Sequence, residues 1–205
     1  MRTKYFGDLE NIKSMEENLS ELLVLAYEGF ELYLKNNDDE NIHEISDLDH
    51  DINRKASDIE RYCYDLLALQ QPVAKDLRFL QMSIKMASNY KRISNHLAQA
   101  GIIVLDFPLR EEEKEFVEDF IENQKQMAIG GKEAFLNNDK DLAMETMEKD
   151  EINDKLFERA IEYLVDLTKK DTIKARELSE KVLFFKYFER LGDRLERNAD
   201  FAKRL

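Results

Sequence analysis

Apolar residues recur at intervals of three, four and seven along nearly the whole chain, and very little interrupts them. Ile45, Ile52, Ile59 and Leu66 stand at strict sevens, with Ala56 and Cys63 at the companion positions. That spacing is a coiled-coil-like seam, which only a helix can present to one partner face. With 2 Pro and 6 Gly in 205 residues, the chain also lacks the turn residues that an all-β fold would need. The pattern predicts an all-α protein.

Six helical segments follow from the periodicity and its breaks: Asp8–Asn36, Asp39–Gln70, Val73–Val104, Arg110–Leu136, Asp139–Thr168 and Asp171–Leu205. Asn36-Asn37-Asp38 and Asn137-Asn138-Asp139 read as stops followed by new starts. Pro72 interrupts the backbone because proline donates no amide proton and restricts Gln71 before it. Long helices joined by short loops pack antiparallel in a bundle.

The chain repeats itself. Tyr90-Lys91-Arg92-Ile93-Ser94-Asn95 matches Phe188-Glu189-Arg190-Leu191-Gly192-Asp193 at an offset of 98, and Glu60-Arg61 matches Glu158-Arg159 at the same offset. Two pseudo-symmetric three-helix bundles are expected in tandem, residues 1–106 and 107–205, with lateral faces large enough for a dimer.

The formal net charge of −13 disfavours nucleic acid and anionic lipid as partners. No stretch approaches eighteen uninterrupted apolar residues, so no membrane insertion is expected. A lone cysteine, Cys63, cannot form an internal bridge, and no signal core precedes the first helix; a reducing cytoplasm is the expected setting.

Acids are placed rather than scattered. Asp150 and Asp154 occupy the two rows of the fifth segment where apolar residues are expected, beside Ala143, Phe157 and Leu164 in one row and Met147 and Ile161 in the other. Carboxylates four apart share a helical face, and setting both against an apolar seam is costly unless they are paired, hydrated or bound to a metal. On the sixth segment, Leu178, Val182 and Phe185 begin a stripe that Glu189, Asp193, Glu196 and Asp200 continue as acids. Consecutive antiparallel helices could bring Glu189, Asp193, Asp150 and Asp154 together. Carboxylate oxygens without His or thiol partners suit hard cations such as Mg²⁺, Mn²⁺ or Ca²⁺, with iron also compatible and zinc left open. At the repeat offset these four positions become Lys91, Asn95, Ile52 and Ala56, so one acidic site is expected, not two. Solvated acids neutralised by Arg190, Arg194 and Arg197 are the plainer alternative. Gly130-Gly131 lacks the Lys-Ser/Thr of a phosphate loop and reads as a place of close helix approach or a kink. Free phosphate binding is not indicated, because an oxyanion needs converging donors.

The segment Leu66-Leu67-Ala68-Leu69-Gln70-Gln71-Pro72-Val73-Ala74-Lys75-Asp76-Leu77-Arg78 resembles the characteristic segment of the PhoU family, and Phe188-Glu189-Arg190-Leu191-Gly192-Asp193 resembles that family's repeated acidic signature. The resemblance implies a six-helix, two-repeat protein, often dimeric, that binds metal on acidic motifs and is not an enzyme. It implies a negative regulator of phosphate-starvation signalling that couples the Pst phosphate transporter, through its ATPase subunit, to a sensor histidine kinase. Such a protein would lie at the inner face of the membrane only through its protein partners. It carries Glu189 and Asp193 as metal ligands, whereas Lys91 and Asn95 depart from the motif. A carboxylate-bridged metalloenzyme and a plain helical scaffold are the rival readings.

Overall fold

The computed structural model describes residues 2–205, and Met1 lies outside the described residues. The chain is all helix: α1 (Arg2–Asn36), α2 (Asp39–Gln70), α3 (Ala74–Asp106), α4 (Glu111–Asn137), α5 (Lys140–Glu148), α6 (Asp150–Lys169) and α7 (Ala175–Lys203). Among these residues no helix is long and apolar enough to cross a membrane.

The two Asn-Asn-Asp stretches do the same work twice. Asn37 and Asn138 take left-handed conformations, with φ of 50° and 54°, which end α1 and α4. Asp38 then accepts from the Glu40 amide, and Asp139 from those of Asp141 and Leu142, which starts α2 and α5. At the α2–α3 turn Gln71 is also left-handed, with φ 45°, and Pro72 follows where no amide proton is needed.

The predicted fifth helix is one rod with a tightened turn at its middle. Lys149 bonds back three residues to the Thr146 carbonyl, and Ile152 three back to Lys149. The cause is on α4, where the Asn123 amide reaches across to the Lys149 carbonyl at 3.0 Å. A side chain entering the helical ladder in this way disturbs it locally, while the inward rows keep their spacing of seven across it. Gly130 permits the close packing there, since a Cβ would lie 2.5 Å from the Thr146 hydroxyl.

First helix pairs with first, and third with third, across the two halves. On the α1–α4 side the Tyr27 hydroxyl donates to Gln124 Oε1 at 3.2 Å, and Lys125 pairs with Glu31. On the α3–α7 side Asn89 meets Arg194 at 2.9 Å, while His96 lies against the Tyr187 ring with centroids 5.4 Å apart. Those two contacts are one contact repeated, because Asn89 and Tyr187, like His96 and Arg194, differ by the repeat offset of 98. A local two-fold axis therefore relates the halves. Phe30 of α1 crosses this boundary and meets Phe188 edge-on, with centroids 5.6 Å apart, so both halves share one apolar core.

The connection between the halves is held by a buried ion pair. Lys181 Nζ donates to Glu113 Oε2 at 2.8 Å and to the Pro108 carbonyl at 2.8 Å, and both charged side chains have no exposed surface. Glu113 also accepts from the Arg110 amide, closing the start of α4. Burial alone would push the Lys181 ammonium's pKa down, and the pair with Glu113 opposes it. Lys181→Met should cost about 3–5 kcal/mol, because Glu113 is left charged and unpaired in the core, whereas Glu113→Leu with Lys181→Met should recover most of the loss. Urea denaturation of the two variants checks this.

Candidate metal centre

Two helices carry the acidic face, and their separation is set by one glycine. A Cβ on Gly192 of α7 would lie 2.4 Å from both Asp150 Oδ1 and Asn153 Nδ2 of α6. Only glycine lets the helices close here, and closing them brings the Asp150 carboxylate under the face of α7. Asp150 is buried and accepts from Asn153 Nδ2 at 2.9 Å. Burial pushes its pKa up to about 6; the Asn153 bond opposes the rise, and repulsion from Asp193, Asp154 and Glu196 adds to it. Glu196 is raised as well, by burial first and then by Asp193 and Asp200. Three of the four sequence-selected acids thus form one electrostatic unit with Glu196.

The fourth, Glu189, is held differently. It forms an ion pair with Lys186, whose ammonium also lies 5.1 Å from the centre of the Phe157 ring. The pair occupies Glu189 Oε1, while Oε2 is buried without a hydrogen-bond partner. The expected double burial on the fifth segment also needs correction. Asp150 lies inward, but Asp154 is exposed, because the inward row of α6 runs Asp150, Asn153, Leu156 and Ala160. Sevens counted from Ala143 hold through Asp150, Phe157 and Leu164, but the companion row lies three residues on, at Thr146, Asn153, Ala160 and Leu167, and not four.

Asn153 was the residue missed. Its signal was present in the recurrence of Asp51-Ile52-Asn53 as Glu151-Ile152-Asn153. It has no exposed surface, and its Oδ1 accepts from Asn123 at 3.1 Å and Gln124 at 3.3 Å. Glu196 was in view as part of the acidic stripe, and its coupling to Asp150 adds it to the cluster.

The first half keeps more of the site than the repeat offset suggested. Ser94, counterpart of Gly192, donates its hydroxyl to Asp49, and Asn53 Nδ2 donates to the same carboxylate at 2.8 Å. Asp49 therefore takes the place of Asp150, and Ile52 and Ala56 are core residues that the linear offset misaligned. What the first half has lost is the α7-type acids: Lys91 is paired with Glu60 at 2.8 Å, and Asn95 stands for Asp193.

Among the described residues, no three His, Cys, Asp or Glu side chains meet in an arrangement that could hold an ion. The donor chemistry nevertheless suits a hard cation: all oxygen, mutually repelling, with one carboxylate oxygen of Glu189 orphaned beside the face. Asp154 and Asp193 are exposed, whereas Asp150 is buried.

Because the folded state raises the Asp150 pKa above its ordinary value, this group favours folding at low pH, and that contribution is lost as pH rises through about 6. In chelator, Asp150→Asn should therefore melt higher than the wild type at pH 8, and the difference should vanish below pH ~4; melting curves across pH test it. Gly192→Ala should lower the melting temperature at every pH, since the helices must separate to admit the methyl group. A variant as stable as the wild type would refute the close approach.

The chain matches the PhoU domain family twice, over residues 12–103 and 117–202. It is 32% identical over 148 residues to a phosphate-specific transport system accessory protein PhoU homolog of Methanothermobacter thermautotrophicus, covering 69% of this chain and 66% of that protein. A homolog of the same name from Borreliella burgdorferi is 25% identical, covering 94% of this chain and 90% of the relative. The fold superposes on the crystal structure of PhoU from Pseudomonas aeruginosa with a TM-score of 0.87 at 21% identity, covering 97% of this chain and 96% of that one. It superposes on the PhoU of Streptococcus pneumoniae with a TM-score of 0.86 at 24% identity, covering 97% and 94%. With both halves matched and the whole fold shared, this chain belongs to the PhoU domain family.

Proposed function

We propose that this protein is a regulatory adaptor of a phosphate transport system, acting as a negative regulator that couples the transporter's ATPase subunit to a sensor histidine kinase. The observation that carries this reading is that relatives matching most of the chain bear the name of phosphate-specific transport accessory proteins. The mechanism is a population shift: a partner that binds one arrangement of the complex more tightly biases the kinase toward its silent state. The protein works as a homodimer at the inner face of the membrane, reached through its partners. Leu25 and Leu32, seven apart on α1, remain half-exposed and suit a helix face shared between copies.

A divalent or iron cation belongs to this reading. Asp150, Asp154, Asp193 and Glu196 would hold it, with Glu189 flanking, and it would neutralise a face whose carboxylates otherwise repel one another. Neutral and rigid, that face becomes a surface that a partner can recognise.

Affinity capture from phosphate-replete and phosphate-starved cells of the native host tests the adaptor, with enrichment of the ATPase subunit or the kinase expected in at least one condition. Capture of neither in both conditions, from folded protein, would overturn it. So would phosphoester or peroxide turnover that Asp193→Ala abolishes. Elemental analysis should find bound metal in the wild type and a several-fold loss in Asp154→Asn/Asp193→Asn.

A further inference from the structure

A basic groove of this acidic chain lies on the other side of α7. Residues 77–105 of α3 contain no Asp or Glu, in a protein with 44 acidic residues. Where α3 packs on α7 a groove of about 390 Å³ opens, lined by Lys85, Ser88, Asn89, Arg92, Arg194 and Arg197, with Phe201 as its apolar wall. Arg92, Arg194 and Arg197 form no ion pair among the described residues, as is also true of Arg78, Arg159, Arg176 and Arg190, but only here do three such arginines line one groove. Arg194 spends one nitrogen on Asn89, at 2.9 Å, and its Nε is buried without a partner. Burial and then repulsion from Arg92 and Arg197 push the Arg194 guanidinium's pKa down, with Asp193 opposing. Like charges gathered from two helices and left unneutralised raise the energy of the free protein, and an anion relieves that repulsion.

The local two-fold axis supplies an internal control. The counterparts of Arg92, Arg194 and Arg197 are Arg190, His96 and Gln99. Burial first, and then Arg194, Arg190 and Arg92, push the His96 pKa down to about 4, and Lys186, the counterpart of Ser88, is paired with Glu189, so that side holds one unpaired cation, Arg190, where the groove holds three arginines and Lys85. The cationic surplus is therefore built at one boundary, not inherited from the duplication.

We propose that this groove binds a phosphate group carrying two or more negative charges. Arg92 and Arg197, both exposed, supply guanidinium forks that match phosphate oxygens in pairs, while Arg194, fixed by Asn89, adds its positive charge at the base. Ser88 adds a hydroxyl. Asp193, Glu196 and Asp200 on the neighbouring face of α7 repel an extended polyanion, which limits the ligand to a small one. Free phosphate and the phosphate chain of a nucleotide share this chemistry. The sequence showed no converging donors because Arg92 and Arg194 lie about a hundred positions apart and belong to different halves.

Titration calorimetry at low ionic strength in chelator, with inorganic phosphate, pyrophosphate and ATP as separate ligands, tests the site. Saturable binding of at least one ligand is expected, about tenfold or more weaker in Arg92→Gln/Arg197→Gln and not weakened in Asp154→Asn/Asp193→Asn. Binding of inorganic phosphate identifies the free ion as sufficient; binding of pyrophosphate or ATP alone assigns the group to a larger molecule. No saturable binding of any of the three would overturn the proposal, as would unchanged affinity in the arginine variant or an equal loss in the aspartate variant. Neither result touches the adaptor reading, which capture of partner proteins tests separately. Both arginines are exposed, and a circular dichroism melt confirms that the variant is folded.

Discussion

The Gln124 side chain, without exposed surface, ties together four helices that apolar packing alone would leave free to slide. It accepts from Tyr27 of α1 and donates to the Phe188 carbonyl of α7 at 2.7 Å and to Asn153 of α6 at 3.3 Å. Apolar side chains tolerate a small rotation of a helix, but a buried amide with three partners does not, because each lost bond strands a polar group away from water. The register of α6 against α7 follows from it, and so does the burial of Asp150, which Asn153 holds. One polar chain thus runs from the boundary of the two halves to the acidic face.

α7 separates opposite charges on adjacent faces. Glu189, Asp193, Glu196 and Asp200 face the α6 side, and Arg190, Arg194 and Arg197 the α3 side. Neighbouring rows of opposite sign on one helix partly neutralise each other, yet each row also meets a second helix that reinforces its own sign: Asp150 and Asp154 on one side, Lys85 and Arg92 on the other. A helix placed this way joins a cation-favouring face to an anion-favouring groove through a single rigid element. Among the described residues this arrangement occurs once, although the backbone plan occurs twice.

Much of the architecture was legible because helices announce themselves locally. The Asn-Asn-Asp stretches, Pro72 and the apolar intervals placed the helix ends within a few residues, apart from the extension of α1 back to Arg2 and the later start of α7. The break at Lys149 was not legible, since its cause is Asn123, a residue of another helix. Asp154 was assigned to the wrong face for a different reason: a heptad seam can take its second row three or four residues after the first, and here Asn153, not Asp154, carries it. Asp49 was overlooked for a related reason: the offset between the halves changes along the second helix, so a single shift misaligns one end.

The chain's own residues determined that it would be helical, duplicated and acidic, since propensity, periodicity and charge are properties of neighbours in sequence. They also marked Asp150, Asp193 and Glu189 as unusual, because an acid in an apolar row stands out without any partner in view. Which acids lie close enough to repel, which arginines are left without a counter-charge, and which glycine must stay bare were decided by tertiary packing alone. Electrostatic coupling falls off over a few ångströms, and only folding brings residues a hundred positions apart to within that range.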